Sequence, residues 1–373
     1  MDKHLHIVSF DVPWPADYGG VIDVFYKLMW LHKSGIKIHL HCFTKGRTAP
    51  PQLSKYCHSI TYYQRKTKLQ GLFLNIPYIV QSRSDAMLLK NLQKDNYPIF
   101  FEGIHSTYFL QKNMLPDRKV FVRLHNVEHK YYHQLAKHEN NILKKIYFSW
   151  ESRLLKTYEK KIANKAMLFS LSMDDMLFFK SEYQVKNIQF LPAFLPWNNL
   201  AAQPGNGCFC LYHGNLAVNE NEIAADWLIN EVFNSLEIPL VIAGKNPSLP
   251  LQTLAQSHAH TCMVINPDEN EMQDLIKKAQ VNILPSFNNT GVKLKLMNVL
   301  YNGRHCLVNN AAVSGSEINR LCTIANSPAE FKVLVQKLFH QQFTQEELQK
   351  REQVLLQIYN NEKNASQLIE WIY

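Results

Sequence analysis

The sequence predicts an α/β chain made of two successive doubly wound units, and three observations predict it. Short apolar runs alternate with helical patterns from the N-terminus onward; a polar break follows residue 197; the alternation then begins again. At 373 residues the chain is long enough for two separate cores. Its 46% apolar and 19% charged content is that of a globular protein.

In order, Leu5–Phe10 reads as a strand and Pro13–Gly20 as a turn. A helix runs from about Val21 to Lys33, closed by Gly35, and Ile36–Phe43 is the next strand. Further strands fit Ser59–Tyr63, Ile99–Glu102, Val120–Leu124 and Leu168–Ser172. From about Asn141 to Lys165, apolar residues Ile142, Ile146, Trp150, Leu154, Tyr158 and Ile162 recur at helical spacing. The other faces of that helix carry Lys144, Lys145, Arg153, Lys156, Lys160 and Lys161. The small, polar run from Asn198 to Gly207 reads as a linker between a first domain, 1–197, and a second, 205–345. The second alternation has strands at Cys208–Tyr212, Leu240–Ala243, Cys262–Ile265 and Val281–Leu284. Helices fall at Asn221–Phe233 and Glu271–Ala279, and a helical stretch closes the chain from about residue 350 to 373.

Several classes are excluded. No window approaches eighteen apolar residues, and the N-terminus lacks the apolar core of a secretory signal. Seven scattered cysteines suit a reducing compartment, so a cytoplasmic location is expected. Residues 1–200 carry 28 Lys and Arg against 15 Asp and Glu, while the rest carries 12 against 16. The basic front half implies an anionic partner. No zinc-finger, basic-region or aromatic RNA-binding pattern is present, so nucleic acid is not expected. Peripheral contact with an anionic membrane, or a phosphate-linked lipid acceptor, fits better. Neither His258-Ala259-His260 nor Asp174-Asp175 supplies a metal-ligand set; the aspartates read as a helix cap. No metal or cofactor is expected. Walker, dinucleotide and nucleophile-elbow motifs are also missing.

The most informative stretch is Leu284–Asn298. It reads as the end of a buried strand, a polar turn, and an amphipathic helix opening near Gly291. Such a turn aims backbone N–H groups and the positive end of the helix dipole at one point, which suits phosphate. Lys293 and Lys295 repel that end unless an anion sits there.

The run from Pro285 through Gly303 to Leu307-Val308 resembles the nucleotide-sugar signature of the large retaining glycosyltransferase family four, in the branch with Gly-Val-Lys-Leu-Lys. That resemblance implies the GT-B fold: two Rossmann-like domains facing across a cleft, the C-terminal helix packing back on the first. It implies a glycosyltransferase that moves a sugar from a nucleoside-diphosphate donor to an acceptor hydroxyl, in cell-envelope polysaccharide or glycolipid assembly. The sugar nucleotide would be a co-substrate, not a cofactor. The donor-binding positions it implies are Asn289, Thr290, Gly291, Val292, Lys293 and Asn298, with Gly214 and Asn215 after the first strand of the second domain, and Lys245. Gly19 and Gly20 would approach the donor from the first domain, beside acceptor contacts at Asp17 and Tyr18. The run Arg123–Tyr132 resembles the family's histidine segment, with His125 facing the reacting sugar as the catalytic group and Asn126 and Glu128 near the acceptor. Glu102 and His105, at an earlier strand end, are further acceptor candidates. His129 is expected to face solvent. Two family glutamates are replaced, by Thr290 and Asn298. A non-catalytic glycan- or partner-binding relative is therefore the alternative, and a sugar-nucleotide epimerase a third.

Overall fold

The computed structural model describes residues 2–47, 51–66, 75–139, 141–288 and 291–373. The chain divides into two compact units, one of residues 1–196 with 359–373, the other of residues 197–358. Each is built on one wholly parallel sheet.

The first sheet has seven strands: β1 (His4–Ser9), β2 (Lys37–Thr44), β3 (Ser59–Gln64), β4 (Ile99–Glu102), β5 (Val120–Leu124), β6 (Met167–Ser170) and β7 (Ile188–Phe190). Their order is β3-β2-β1-β4-β5-β6-β7. The central strands are near-continuous apolar runs, as a sheet covered on both faces requires. One face packs Leu5, Ile7, Val24, Leu28, Ile38 and Phe100; the other packs Val8, Phe43, Ile99, Phe101, Val122 and Leu168. Four helices matter for the site and its surroundings: α1 (Gly19–Lys33), α2 (Glu128–His138), α3 (Ile142–Ile162) and α4 (Met173–Glu182). Helix α1 starts two residues earlier than the sequence suggests and ends where Gly35 takes φ +82°, a value glycine reaches without strain. Asn141 caps α3 by accepting from the N–H groups of Leu143 and Lys144 at 3.1 Å. Ser172, not Asp174 or Asp175, caps α4. Strand β7 was not anticipated, being only three residues long.

The second sheet has six strands: β8 (Cys210–Asn215), β9 (Leu240–Lys245), β10 (Thr261–Ile265), β11 (Val281–Ile283), β12 (His305–Val308) and β13 (Thr323–Ile324), ordered β10-β9-β8-β11-β12-β13. Helix α5 (Asn219–Trp227) follows β8, and α6 (Leu294–Asn302) follows the turn after β11. The polar run after Asn198 belongs to this unit. The Ala201 and Ala202 N–H groups donate to the Tyr301 carbonyl, and Gly205 bridges Phe343. The last helix, α7 (Asn361–Ile372), packs Ala365, Leu368 and Ile372 into the first unit's core. All seven cysteines are unpaired. Among the described residues, no helix is long and apolar enough to cross a membrane.

Candidate active site residues in the two units

In an open parallel sheet, ligands bind beyond the carboxyl ends of the strands where the strand order reverses. The first sheet reverses between β1 and β4, the second between β8 and β11. Gly19, Gly20 and Glu102 lie at the first of these points, and Gly214, Asn215 and the Gly291–Lys295 segment at the second. His125 and Lys245 lie one strand away, after β5 and at the end of β9.

In the first unit, His125 directly follows β5 and is 9% exposed. Its ring meets Phe10 edge to face at 5.3 Å. Its Nε2 lies 3.3 Å from Oε2 of Glu102. Glu102, expected to touch an acceptor, is instead fully buried. Its other oxygen accepts from Lys27 Nζ at 2.7 Å. Lys27 also donates to Asp23 at 3.0 Å, and Arg123 holds Asp23 at 3.1 Å. Two carboxylates and two cations thus balance inside the unit, tying α1, β4 and β5 together. Arg123 and Asp23 extend the tie to the 191–194 segment, through the Leu191 and Pro192 carbonyls and the Phe194 N–H. Burial works against ionising these acids. Even so, Arg123 and Lys27 hold Asp23 below the usual carboxylate range, and Lys27 with His125 does so for Glu102. An ionised carboxylate only accepts, so His125 Nε2 carries a proton toward Glu102. Asp23, Glu102 and His125 have ligand atoms within 4.8 Å of one another. The Lys27 ammonium already sits between the two carboxylates, where a metal ion would be needed.

The remaining first-unit residues are more mutually engaged than the sequence suggests. Tyr18 donates to Asp11 at 3.0 Å, and Asp17 is bonded by Arg47, which also lies 5.1 Å over the Tyr18 ring. Burial and Asp11 push the Tyr18 hydroxyl's pKa up. Gly19 is the first residue of α1, and a side chain at Gly20 would meet the Phe10 ring at 2.7 Å. His105 packs against Phe10 at 5.3 Å, made possible by Gly103 at φ +70°, and burial holds its ring neutral. Asn126 donates to Glu128 at 3.5 Å. Glu128 is nearly buried, and burial with Glu159 nearby raises its carboxyl to about 8. A residue so enclosed is a poor acceptor contact. His129 does not face solvent: its Nδ1 lies 2.6 Å from the buried Glu159.

In the second unit, Asn289 and Thr290 lie outside the described residues. Gly291 has φ +68°, and α6 begins at Leu294, three residues later than expected. Lys293 is therefore the cap residue, with extended backbone, and Lys295 lies in the first turn. The turn before them is clamped. Asn309 Oδ1 accepts from the Ser286 N–H at 3.0 Å, while its amide donates to the Ser286 carbonyl at 2.7 Å. Ser286 Oγ lies 2.9 Å from Glu220 Oε1, at the start of α5. Lys295 donates to Asn221 at 3.0 Å and lies 5.0 Å over the Tyr212 ring. Burial lowers Lys295 to about 8, against the pull of Glu220, and lowers Lys293 as well. Two half-buried ammonium groups thus lie under the influence of the Glu220 carboxylate. Beside them His213 is buried, with no partner for Nε2 among the described residues, and is lowered to about 3.

Gly214 and Asn215 end β8, with the Asn215 carbonyl accepting from Asn221 at 3.0 Å. Lys245 is exposed at the end of β9. A side chain at Gly244 would strike the Gly214 carbonyl at 2.0 Å, so glycine there keeps the two strand ends together. Asn298 turns its side-chain oxygen to Asn302, at 2.8 Å. Sequence reading missed Glu220, Asn221, Asn309, Lys27 and Asp23. Only Asn219-Glu220-Asn221-Glu222, an acidic helix opening directly after Asn215, offered a signal.

Two units of this kind, each built on one parallel sheet, have the fold of the GT-B glycosyltransferases. Residues 208–341 match the family described as glycosyl transferases group 1. Over that segment the chain is similar to this family, which bears out the resemblance read from Pro285–Val308 at the level of glycosyl transferases group 1. A protein of Klebsiella pneumoniae described as an uncharacterized 44.6 kDa protein in the cps region is 26% identical over 335 residues, 84% of each chain. Among solved structures, the chain is similar to sucrose-phosphate synthase of Thermosynechococcus elongatus (TM-score 0.71, 13% identity, 99% and 98% of the two chains). It is also similar to WaaG, a glycosyltransferase involved in lipopolysaccharide biosynthesis (0.65, 12%, 99% of both). TarM of S. aureus, in complex with UDP among other ligands, matches over the whole of both chains (0.66, 10%). At such identities the structural likeness speaks for the fold.

Proposed function

We propose that this protein is a retaining glycosyltransferase that takes its sugar from a nucleoside diphosphate, bound by the second unit. The observation that carries the reading is the placement of Lys293 and Lys295 at the opening of α6, after the turn that follows β11 and inside the segment that matches the family. A diphosphate at Gly291–Lys295 would balance both ammonium groups and meet the N–H groups opening α6. In transfer, the acceptor oxygen bonds to the anomeric carbon, the bond to the diphosphate breaks, and the acceptor's proton is lost. The lysines lower the cost of charge on the leaving group. In the first unit, His125 would face the sugar with Nδ1 as acceptor, held in that tautomer by Glu102. No metal is required in this scheme.

The acceptor would be a glycan or lipid-linked hydroxyl in cell-envelope polysaccharide or glycolipid assembly, reached from the cytoplasmic side of the membrane. The cps-region relative and the lipopolysaccharide role printed for WaaG support that class. A panel of nucleotide sugars tests the reading through hydrolysis or transfer, with Gly291→Val and Lys245→Ala as controls. Turnover of one donor, lost in Gly291→Val, supports it; full activity in both variants removes the assigned phosphate site. A binding-only relative is the second reading, favoured by Asn298, whose oxygen is turned to Asn302 where a glutamate was expected. Binding without turnover of any donor would select it.

A further inference from the structure

Helix α3 presents an apolar stripe to solvent that nothing in the transfer scheme uses. Ile142, Leu143, Ile146 and Trp150 are 71%, 76%, 63% and 47% exposed. On a helix these positions fall within an arc of about 100°, the width normally turned to a core. Buried residues farther along, Leu155, Tyr158 and Ile162, do serve the core, so only the first turns stand clear.

The charges around the stripe have one sign. Lys144, Lys145, Arg153, Lys156, Lys160 and Lys161 are all exposed. The helix has two acids, and both are buried: Glu151 accepts from the Tyr78 N–H at 2.9 Å, and Glu159 from His129. Glu139, three residues before the helix, is the nearest acid along the chain ahead of it. An ordinary solvated helix mixes signs and hides its isoleucines. A protein partner would commonly bring a surface of both polarities to match. An exposed apolar arc with a tryptophan, edged only by lysine and arginine, has the chemistry of an interfacial helix.

We propose that α3 is a docking helix that lays Ile142, Leu143, Ile146 and Trp150 into the boundary layer of an anionic lipid bilayer, its cations on the headgroups. This deepens the lipid-linked acceptor class proposed above and rests on it for purpose, since docking would hold the first unit at the surface where such an acceptor lies. The test does not depend on that reading.

The full-length protein is sedimented with vesicles of phosphatidylcholine alone and with vesicles holding about 30% phosphatidylglycerol, at about 0.1 M salt. Binding is expected to the anionic vesicles only, weakening as salt rises. The variant carrying Ile142→Ser, Leu143→Ser and Ile146→Ser should lose at least about tenfold in partitioning. Lys144→Gln and Lys145→Gln should each lose about fivefold. All five positions are exposed and outside both sites, so nucleoside diphosphate binding in solution should be unchanged. That readout separates loss of docking from loss of the transferase reading. The blue shift of tryptophan emission on binding should shrink in Trp150→Phe. The proposal is overturned if the wild type ignores anionic vesicles, or if the triple variant binds them undiminished. It is equally overturned if α3 proves to be a dimer contact, with the wild type dimeric, the triple variant monomeric, and neither on vesicles.

Discussion

Glu102 Oε2 lies 3.3 Å from His125 Nε2, while Lys27 holds the other carboxylate oxygen at 2.7 Å. The carboxylate is wholly inside the first unit, so it could act on a ligand at this strand end only through the imidazole. It fixes which ring nitrogen carries the proton, and the buried cations keep it ionised.

Glu102→Gln should therefore lower transfer about a hundredfold while leaving donor binding nearly unchanged. Nitrogen NMR of the His125 ring should show the Nε2-protonated tautomer in the wild type and a mixture in the variant. A purely structural glutamate would leave the tautomer alone.

Lys27→Met should destabilise the first unit by about 3–5 kcal/mol, because it strands two buried carboxylates. Urea unfolding measures this directly. A change below about 1 kcal/mol would mean that the network is hydrated in solution.

Lys295, lowered to about 8 by burial, must be charged to meet a diphosphate. Affinity for a nucleoside diphosphate should be full at pH 7 and fall as the pH rises through 8. The bound anion should itself raise the lysine's pKa, shifting the loss upward in the complex. In Lys295→Met the affinity should be lower and this step absent; titration calorimetry at pH 7 and 9 reads both.

Glu128 is raised to about 8, so the folded protein keeps it protonated while the unfolded chain ionises it. Its cost to stability is absent below the ordinary glutamate range and grows as pH climbs to about 8. Glu128→Gln should change melting little at pH 4.5 and raise it by at least ~3 °C at pH 8.5. An equal effect at both pH values would contradict the assignment.

The sheets were legible because parallel strands must be apolar on both faces: Ile99–Glu102 and Val120–Leu124 are found as read, and Val281–Leu284 within a residue. The turn after β11 was legible because a strand, a small-residue turn and an amphipathic helix follow each other in sequence. Its helix start was misplaced since Gly291 ends the turn with a left-handed residue, and extended backbone carries the chain on to Leu294. The roles of Glu102 and Glu128 were not legible. Whether a glutamate at a strand end faces a ligand or an ion pair depends on α1 and on Glu159, distant in sequence. His129 failed for the same reason. Conversely, the exposed face of α3 looked like ordinary core periodicity, and only burial separates its free first turns from its packed last ones.

The central claim is that the turn from Gly291 to Lys295 holds a nucleoside diphosphate. Calorimetric titration of the intact protein at pH 7 with UDP, GDP, ADP and TDP tests it most directly, beside Lys295→Met. The account predicts that one of the four binds with micromolar affinity and loses at least about tenfold in the variant. Silence from all four at millimolar concentration, or equal affinity in wild type and variant, would contradict it.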